Sequence, residues 1–229
     1  MNIGIKAILY KLRYYFIPFL VLIACCLIIK LTYTREEIYY AVNSYYSPLA
    51  DMIAPFVTNI GDGLATIALA LVLIMFNYRK AFILLGGYAL SSGIVAQSLK
   101  RLFDAPRPKL YFKDHLDRIH FITGIDQASL HSFPSGHTVT IFSTTLLLTY
   151  WCKDKLWGLP LFLLAVLVGY SRMYLSQHFF EDVTAGSAIG VVVTTIWLYW
   201  CENRDFLKSA KWNRGLAVPA QSDDSAKSR

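Results

Sequence analysis

Lys100, Arg107 and Arg172 place fixed positive charge at three points of a 229-residue chain; of two histidines, His137 falls between the second and the third, and His178 follows shortly after the third. Cations of this kind bind phosphoryl oxygens, the arginines through paired donors in a planar fork and the lysine as a point charge. Asp182 follows His178 at the spacing of one helical turn. A carboxylate so placed accepts a hydrogen bond from one imidazole nitrogen, fixes the tautomer and leaves the other nitrogen free to attack phosphorus. His137 would then protonate the departing oxygen and later draw a proton from water. In the run Ser132 to Thr138, SFPSGHT, Ser135 has the chemistry of a helix N-cap. Backbone N–H groups around Ser135 and Gly136 would face phosphate oxygens at that helix start.

Each segment alone has a plainer explanation: Lys100 and Arg101 as snorkelling boundary residues, PSGH as a capped turn, either histidine as an interfacial hydrogen-bonding group. Together they read as one site for phosphoryl transfer.

Each of the three segments ends an apolar stretch. The chain is 55% hydrophobic and 16% charged, with a mean hydropathy of +0.44, too apolar for an ordinary soluble domain. Six stretches, near 14–33, 63–78, 81–101, 136–152, 156–175 and 183–201, approach the ~20 apolar residues of a transmembrane helix. The expected fold is all-α, an integral membrane bundle of six transmembrane helices over residues 1–207. Between the first two spans, Arg35 to Asp62 contains Tyr39, Tyr40, Tyr45 and Tyr46 and reads as an interfacial helix with headgroup-level anchors. Pro106 and Pro108 break the third span and turn Arg107 back over its end. Residues 208–229 read as a polar cytoplasmic tail without order.

The net charge of +7 forms no dense patch, which argues against nucleic acid. Lys and Arg divide 13 against 9 between alternate sides, out of 22 in all. The richer side, with both termini and the Arg79-Lys80 turn, is expected to face the cytoplasm. All three motif segments then fall on the opposite side, a result not built into the charge count. Cys25, Cys26, Cys152 and Cys201 have neither ligand nor disulfide spacing and read as packing residues. His115, His120 and His131 match no compact ligand set and read as solvated loop residues, so no metal is expected.

The segments KRLFDAPRP, PSGH and SRMYLSQHFFED resemble, in order and internal spacing, the three signature motifs of the type 2 phosphatidic acid phosphatase superfamily. The resemblance implies a helical membrane bundle and hydrolysis without a cofactor or metal. It implies that Lys100, Arg107, Ser135, Gly136 and Arg172 hold phosphate, that His137 is the acid–base group, and that His178 is the nucleophile with Asp182 as its partner. The reading that follows is a phosphatase of lipid phosphates or diphosphates, working through a phosphohistidine at the outer face of a bacterial cytoplasmic membrane. Phosphatidic acid, phosphatidylglycerol phosphate, undecaprenyl diphosphate and lipid A phosphates are all compatible, and the oligomeric state is open. Two other classes fit less well. A lipid phosphotransferase would carry the same motifs, whereas an anion transporter would place its charges near the midplane.

Overall fold

The computed structural model describes residues 3–217, and these fold as helices joined by short turns and one long loop. In chain order the elements are α1 (Ile5–Lys11), α2 (Arg13–Thr32), α3 (Arg35–Ser44), α4 (Pro48–Ile60), α5 (Gly63–Phe76), α6 (Tyr78–Tyr88), a π-helical stretch (Ala89–Ala96), α7 (Gln97–Phe103), α8 (Pro108–Tyr111), α9 (Gly136–Trp151), α10 (Gly158–Tyr174), α11 (Phe180–Glu202) and α12 (Asp205–Lys208). Polar residues set the starts. Thr34 and Glu37 form a capping box on α3, while Ser47, Asp62 and Asn77 accept from first-turn amides of α4, α5 and α6.

Among the described residues, four helical stretches are long and apolar enough to cross a membrane: α2, the continuous α6–π–α7 rod, α10 and α11. A fifth follows if α4 and α5, bent by 50° at residues 61–62, count as one broken span. The sixth expected span is α9, whose 16 residues fall short of the ~20 needed. Its surroundings explain the shortness. Nearly every α9 side chain is buried against neighbouring helices, so lipid sets no minimum on its length. Its hydroxyls find partners across those contacts: Thr140 donates to Ser92 at 3.0 Å, Thr194 donates to Ser143 at 2.7 Å, and Tyr15 and Thr145 pair at 2.8 Å.

Helix α11 lies against α9 because small residues face it. A Cβ at Gly190 would stand 2.6 Å from the Val139 carbonyl oxygen, so no larger side chain permits this approach. The close contact fixes the start of α11 beside the start of α9.

Two expectations need correction. The single interfacial helix is two helices, α3 and α4, and its tyrosines do not act alike. Tyr45 and Tyr46 are exposed, but Tyr39 turns inward, packs on Phe112 and Phe179 and donates to Ser176 Oγ at 2.8 Å. Residues 208–217 of the expected tail pack against the α5–α6 turn, where Tyr78 N donates to Arg214 O, Arg79 N donates to Trp212 O, and Trp212 meets Phe82 edge to face. Buried aromatic surface and paired backbone groups hold that stretch in place, while residues 218–229 lie outside the described residues.

Candidate active site

At one end of the bundle the three motif segments meet. Helix α7 stops at Asp104, which adopts a left-handed conformation (φ 40°), and the chain then turns back. Arg107 N bonds to Ser129 O and Ser132 N to Ala105 O, so the turn is laced to the loop that leads into α9. Lys100, in the last turn of α7, brings its Nζ within 3.7 Å of where a Gly136 Cβ would sit, over the first turn of α9.

Arg107 donates through Nη1 to the Gln177 side-chain oxygen at 2.9 Å and through Nε to Leu130 O at 3.0 Å. Arg172, 7% exposed, donates through Nη1 to Thr58 Oγ1 at 2.8 Å, while its buried Nε has no partner among the described residues. A buried guanidinium with a donor to spare is suited to an incoming oxyanion.

His178 lies in the turn between α10 and α11 and not, as its spacing to Asp182 suggested, inside a helix. Ser176 takes a left-handed conformation (φ 54°), and both Gln177 N and His178 N donate to Arg172 O. The carboxylate still arrives. His178 Nδ1 is 3.4 Å from Asp182 Oδ2, and that same oxygen accepts from Ser132 Oγ at 2.5 Å and from Phe179 N at 2.8 Å. Asp182 therefore caps α11 and anchors the imidazole with one atom. Burial, then the charges of Arg172, Arg107, Lys100 and His137, hold His178 well below the usual histidine range, so its imidazole is neutral at pH 7. Neutrality is what a nucleophilic nitrogen requires.

Ser135 occupies the N-cap of α9, but its side chain caps nothing: Oγ accepts from Thr138 Oγ1 at 2.9 Å, and its N–H donates to Asp182 O at 3.0 Å. The Ser135 amide is spent on joining α9 to α11, which leaves the first-turn amides from Gly136 onward as the donors of that helix start. Of the outer-loop histidines, His120 contacts the Asp51 carboxylate at 3.0 Å and stacks on Tyr46, and His131 pairs with Asp104 at 3.1 Å. His120 is thereby held in a half-buried clasp, whereas His131 and its partner stay exposed at the surface, as expected of a solvated loop residue. Among the described residues no group of three or more His, Cys, Asp or Glu is disposed to hold a metal ion.

Four residues that touch this constellation carry no signal in the motif spacing: Thr58, Asp62, Ser132 and Gln177. Gln177 lies inside the third motif segment and Ser132 just before the second, and both could have been found as amide and hydroxyl neighbours of the proposed histidines. Thr58 and Asp62 lie far upstream and come into place only through the α4–α5 bend.

Comparison with known proteins places the chain in a family. Residues of this chain align with the lipid A 4'-phosphatase of Porphyromonas gingivalis at 28% identity, covering 50% of each chain. The undecaprenyl-diphosphatase BcrC of Bacillus subtilis is 26% identical over 69% of this chain and 79% of its own. The chain spans about half the length, or less, of several of the curated relatives it matches. Among solved structures, Aquifex aeolicus LpxE superposes with a TM-score of 0.62 at 30% identity, over 71% of this chain and 93% of that one. The PAP2-type phosphatidylglycerolphosphate phosphatase of Bacillus subtilis does so with a TM-score of 0.60 at 25% identity, over 84% and 96%. The PAP2 superfamily model matches residues 80–206, more than half of the sequence and every motif described above, and the chain therefore belongs to the PAP2 superfamily.

Proposed function

We propose that this membrane protein hydrolyses a phosphate monoester or diphosphate of a membrane lipid through a phosphohistidine on His178. The observation that carries the proposal is the single end of the bundle at which a carboxylate-anchored, neutral His178 meets His137 and the three cations. His178 Nε2 attacks phosphorus while Lys100, Arg107, Arg172 and the first-turn amides of α9 hold the non-bridging oxygens. His137 gives a proton to the leaving lipid oxygen, then takes one from the water that releases phosphate. The side-chain cations supply the charge neutralisation for which other phosphatases use a divalent ion.

A lipid substrate fits the surroundings. An apolar groove of about 300 Å³ runs between α4 and α10, lined by Leu49, Ile53, Val57, Leu167 and Tyr170, and two of its lining residues, Val57 and Ser171, are the chain neighbours of Thr58 and Arg172, which hydrogen-bond to each other. A hydrocarbon chain in that groove would lead its headgroup to the cations. The charge asymmetry supports an active site on the outer face, because the opposite end carries Lys11, Arg13, Arg79, Lys80 and Lys155.

The test is phosphate release from a panel of lipid phosphates and diphosphates in detergent, with EDTA in excess. Release from at least one lipid, blocked in His178→Ala, is expected. Release from none, or a complete loss in EDTA that magnesium restores, would reject the proposal. Adding an acceptor lipid and analysing the products shows whether water or lipid receives the phosphoryl group.

A further inference from the structure

The bend between α4 and α5 carries a second carboxylate into the site. Gly61 packs against the start of α9: a Cβ there would stand 2.6 Å from Val168 Cγ1 and 3.0 Å from the His137 carbonyl oxygen. Only a residue without a side chain lets the chain turn this close to His137, and Asp62 is the next residue. Its Oδ1 accepts from Leu64 N at 2.7 Å and so caps α5. Its Oδ2 points the other way and lies 3.5 Å from His137 Nε2.

The two histidines are thus held from opposite nitrogens. His178 is anchored at Nδ1, which leaves Nε2 to attack; His137 is anchored at Nε2, which leaves Nδ1 to exchange protons. We propose that Asp62 is the positioning residue of His137, orienting its ring and offsetting the charge of its imidazolium form in a site that already holds three cations. The inference rests on His137 as the acid–base group. In the first step the His178 Nε2–phosphorus bond forms as the phosphorus–oxygen bond to the lipid breaks, and the Nδ1 proton of His137 passes to the leaving oxygen. Neutral His137 keeps its remaining proton on Nε2, toward Asp62. In the second step water oxygen bonds to phosphorus, the nitrogen–phosphorus bond breaks, and Nδ1 takes a water proton. The imidazolium beside Asp62 is restored, and no proton is gained or lost over the cycle.

Because Asp62 also caps α5, the informative variants are Asp62→Asn and Asp62→Ser, which keep a good N-cap and remove the charge at Nε2. They are compared with His137→Ala on the preferred lipid phosphate and on an aryl phosphate whose leaving group departs as a stable anion. Both Asp62 variants should melt like the parent and lose about 10–10²-fold in kcat on the lipid, with KM little changed, as befits an orienting group of a general acid. Phosphoenzyme formation from the aryl phosphate should be largely spared. The Asp62→Asn, His137→Ala double variant should be no slower than His137→Ala alone. A loss equal for both leaving groups, or one additive with His137→Ala, would overturn the role of Asp62 if His137→Ala itself still discriminates between them. If His137→Ala shows no such discrimination, the acid–base reading beneath the inference falls with it.

Discussion

Asp182→Asn should slow phosphoenzyme formation by about 10²-fold, and the figure follows from the way a single oxygen is used. Ser132 Oγ, Phe179 N and His178 Nδ1 all meet Oδ2 of Asp182. An asparagine can place its carbonyl oxygen there and keep all three contacts, so the α11 cap and the His178 tautomer survive. What disappears is the negative charge. Attack on phosphorus puts positive charge on the His178 ring, 3.4 Å from that oxygen. A full charge pair at this distance is worth about 1.2 kcal/mol at the dielectric of water and about 5 kcal/mol at an effective dielectric of 20. Both residues are almost wholly buried, and the charge on the ring is only partly developed in the transition state. A loss of about 2–3 kcal/mol follows, which is roughly 10²-fold in rate. Asp182→Ala also removes the oxygen and leaves the Phe179 amide and the Ser132 hydroxyl without their acceptor, at about 1–3 kcal/mol each in stability. It should melt lower and react far more slowly than Asp182→Asn. Rapid-quench labelling with a phosphorus-labelled substrate measures the step directly, and thermal melts report the fold. Equal rates for the two variants would refute the single-oxygen arrangement. An Asp182→Asn rate within about threefold of the parent would refute the charge argument.

Exchanging the two histidines separates their tasks: His178→Ala should form no acid-labile phosphoenzyme, whereas His137→Ala given an aryl phosphate should accumulate it, and the opposite labelling pattern would reverse the roles. Stability should fall with acidity through His178. Its folded value lies well below the ordinary 6.5, so its contribution is fully present above pH 6.5 and is lost as pH drops toward the folded value. Between pH 7 and 5 the melting temperature should therefore decline more steeply in the parent than in His178→Gln, and equal slopes would count against a buried neutral imidazole. For topology, a cysteine-free variant carrying one new cysteine beside Lys80 should resist an impermeant reagent in intact cells, while one beside His120 should react; the reverse result would invert the orientation.

The parts of this site written as compact motifs were legible before the fold was known, because a helix end concentrates its chemistry within a few residues. Lys100, Arg107, Ser135, Gly136, His137, Arg172, His178 and Asp182 all belong to such runs, and the proline break after Phe103 follows from backbone sterics alone. The departures come from tertiary contacts that no spacing encodes. The His178 to Asp182 interval fits a helical turn, yet the same juxtaposition is reached by a left-handed residue at Ser176 and an N-cap interaction. The Ser135 amide looked free for phosphate, but the close packing of α11 on α9 claims it. Asp62 precedes a glycine and an apolar run, so a helix cap could be read there. Its second task depends on a 50° bend that only the packing of Gly61 on Val168 and His137 makes visible.

Charge balance gives a reason for both carboxylates. In the proposed mechanism Lys100, Arg107 and Arg172 attract a phosphate, but they equally oppose positive charge on either histidine: on His178 as it attacks, and on His137 while it carries its proton. In the proposed mechanism Asp182 and Asp62 answer these two demands separately, one beside His178 Nδ1 and the other beside His137 Nε2. With His137 protonated, the three cations and the imidazolium set against two carboxylates leave a formal charge of about +2, equal and opposite to that of a phosphate monoester dianion. Both acids are also helix-capping residues, so the backbone turns that begin α5 and α11 hold the two charges in place, and loosening either turn should disturb the chemistry before it disturbs the fold.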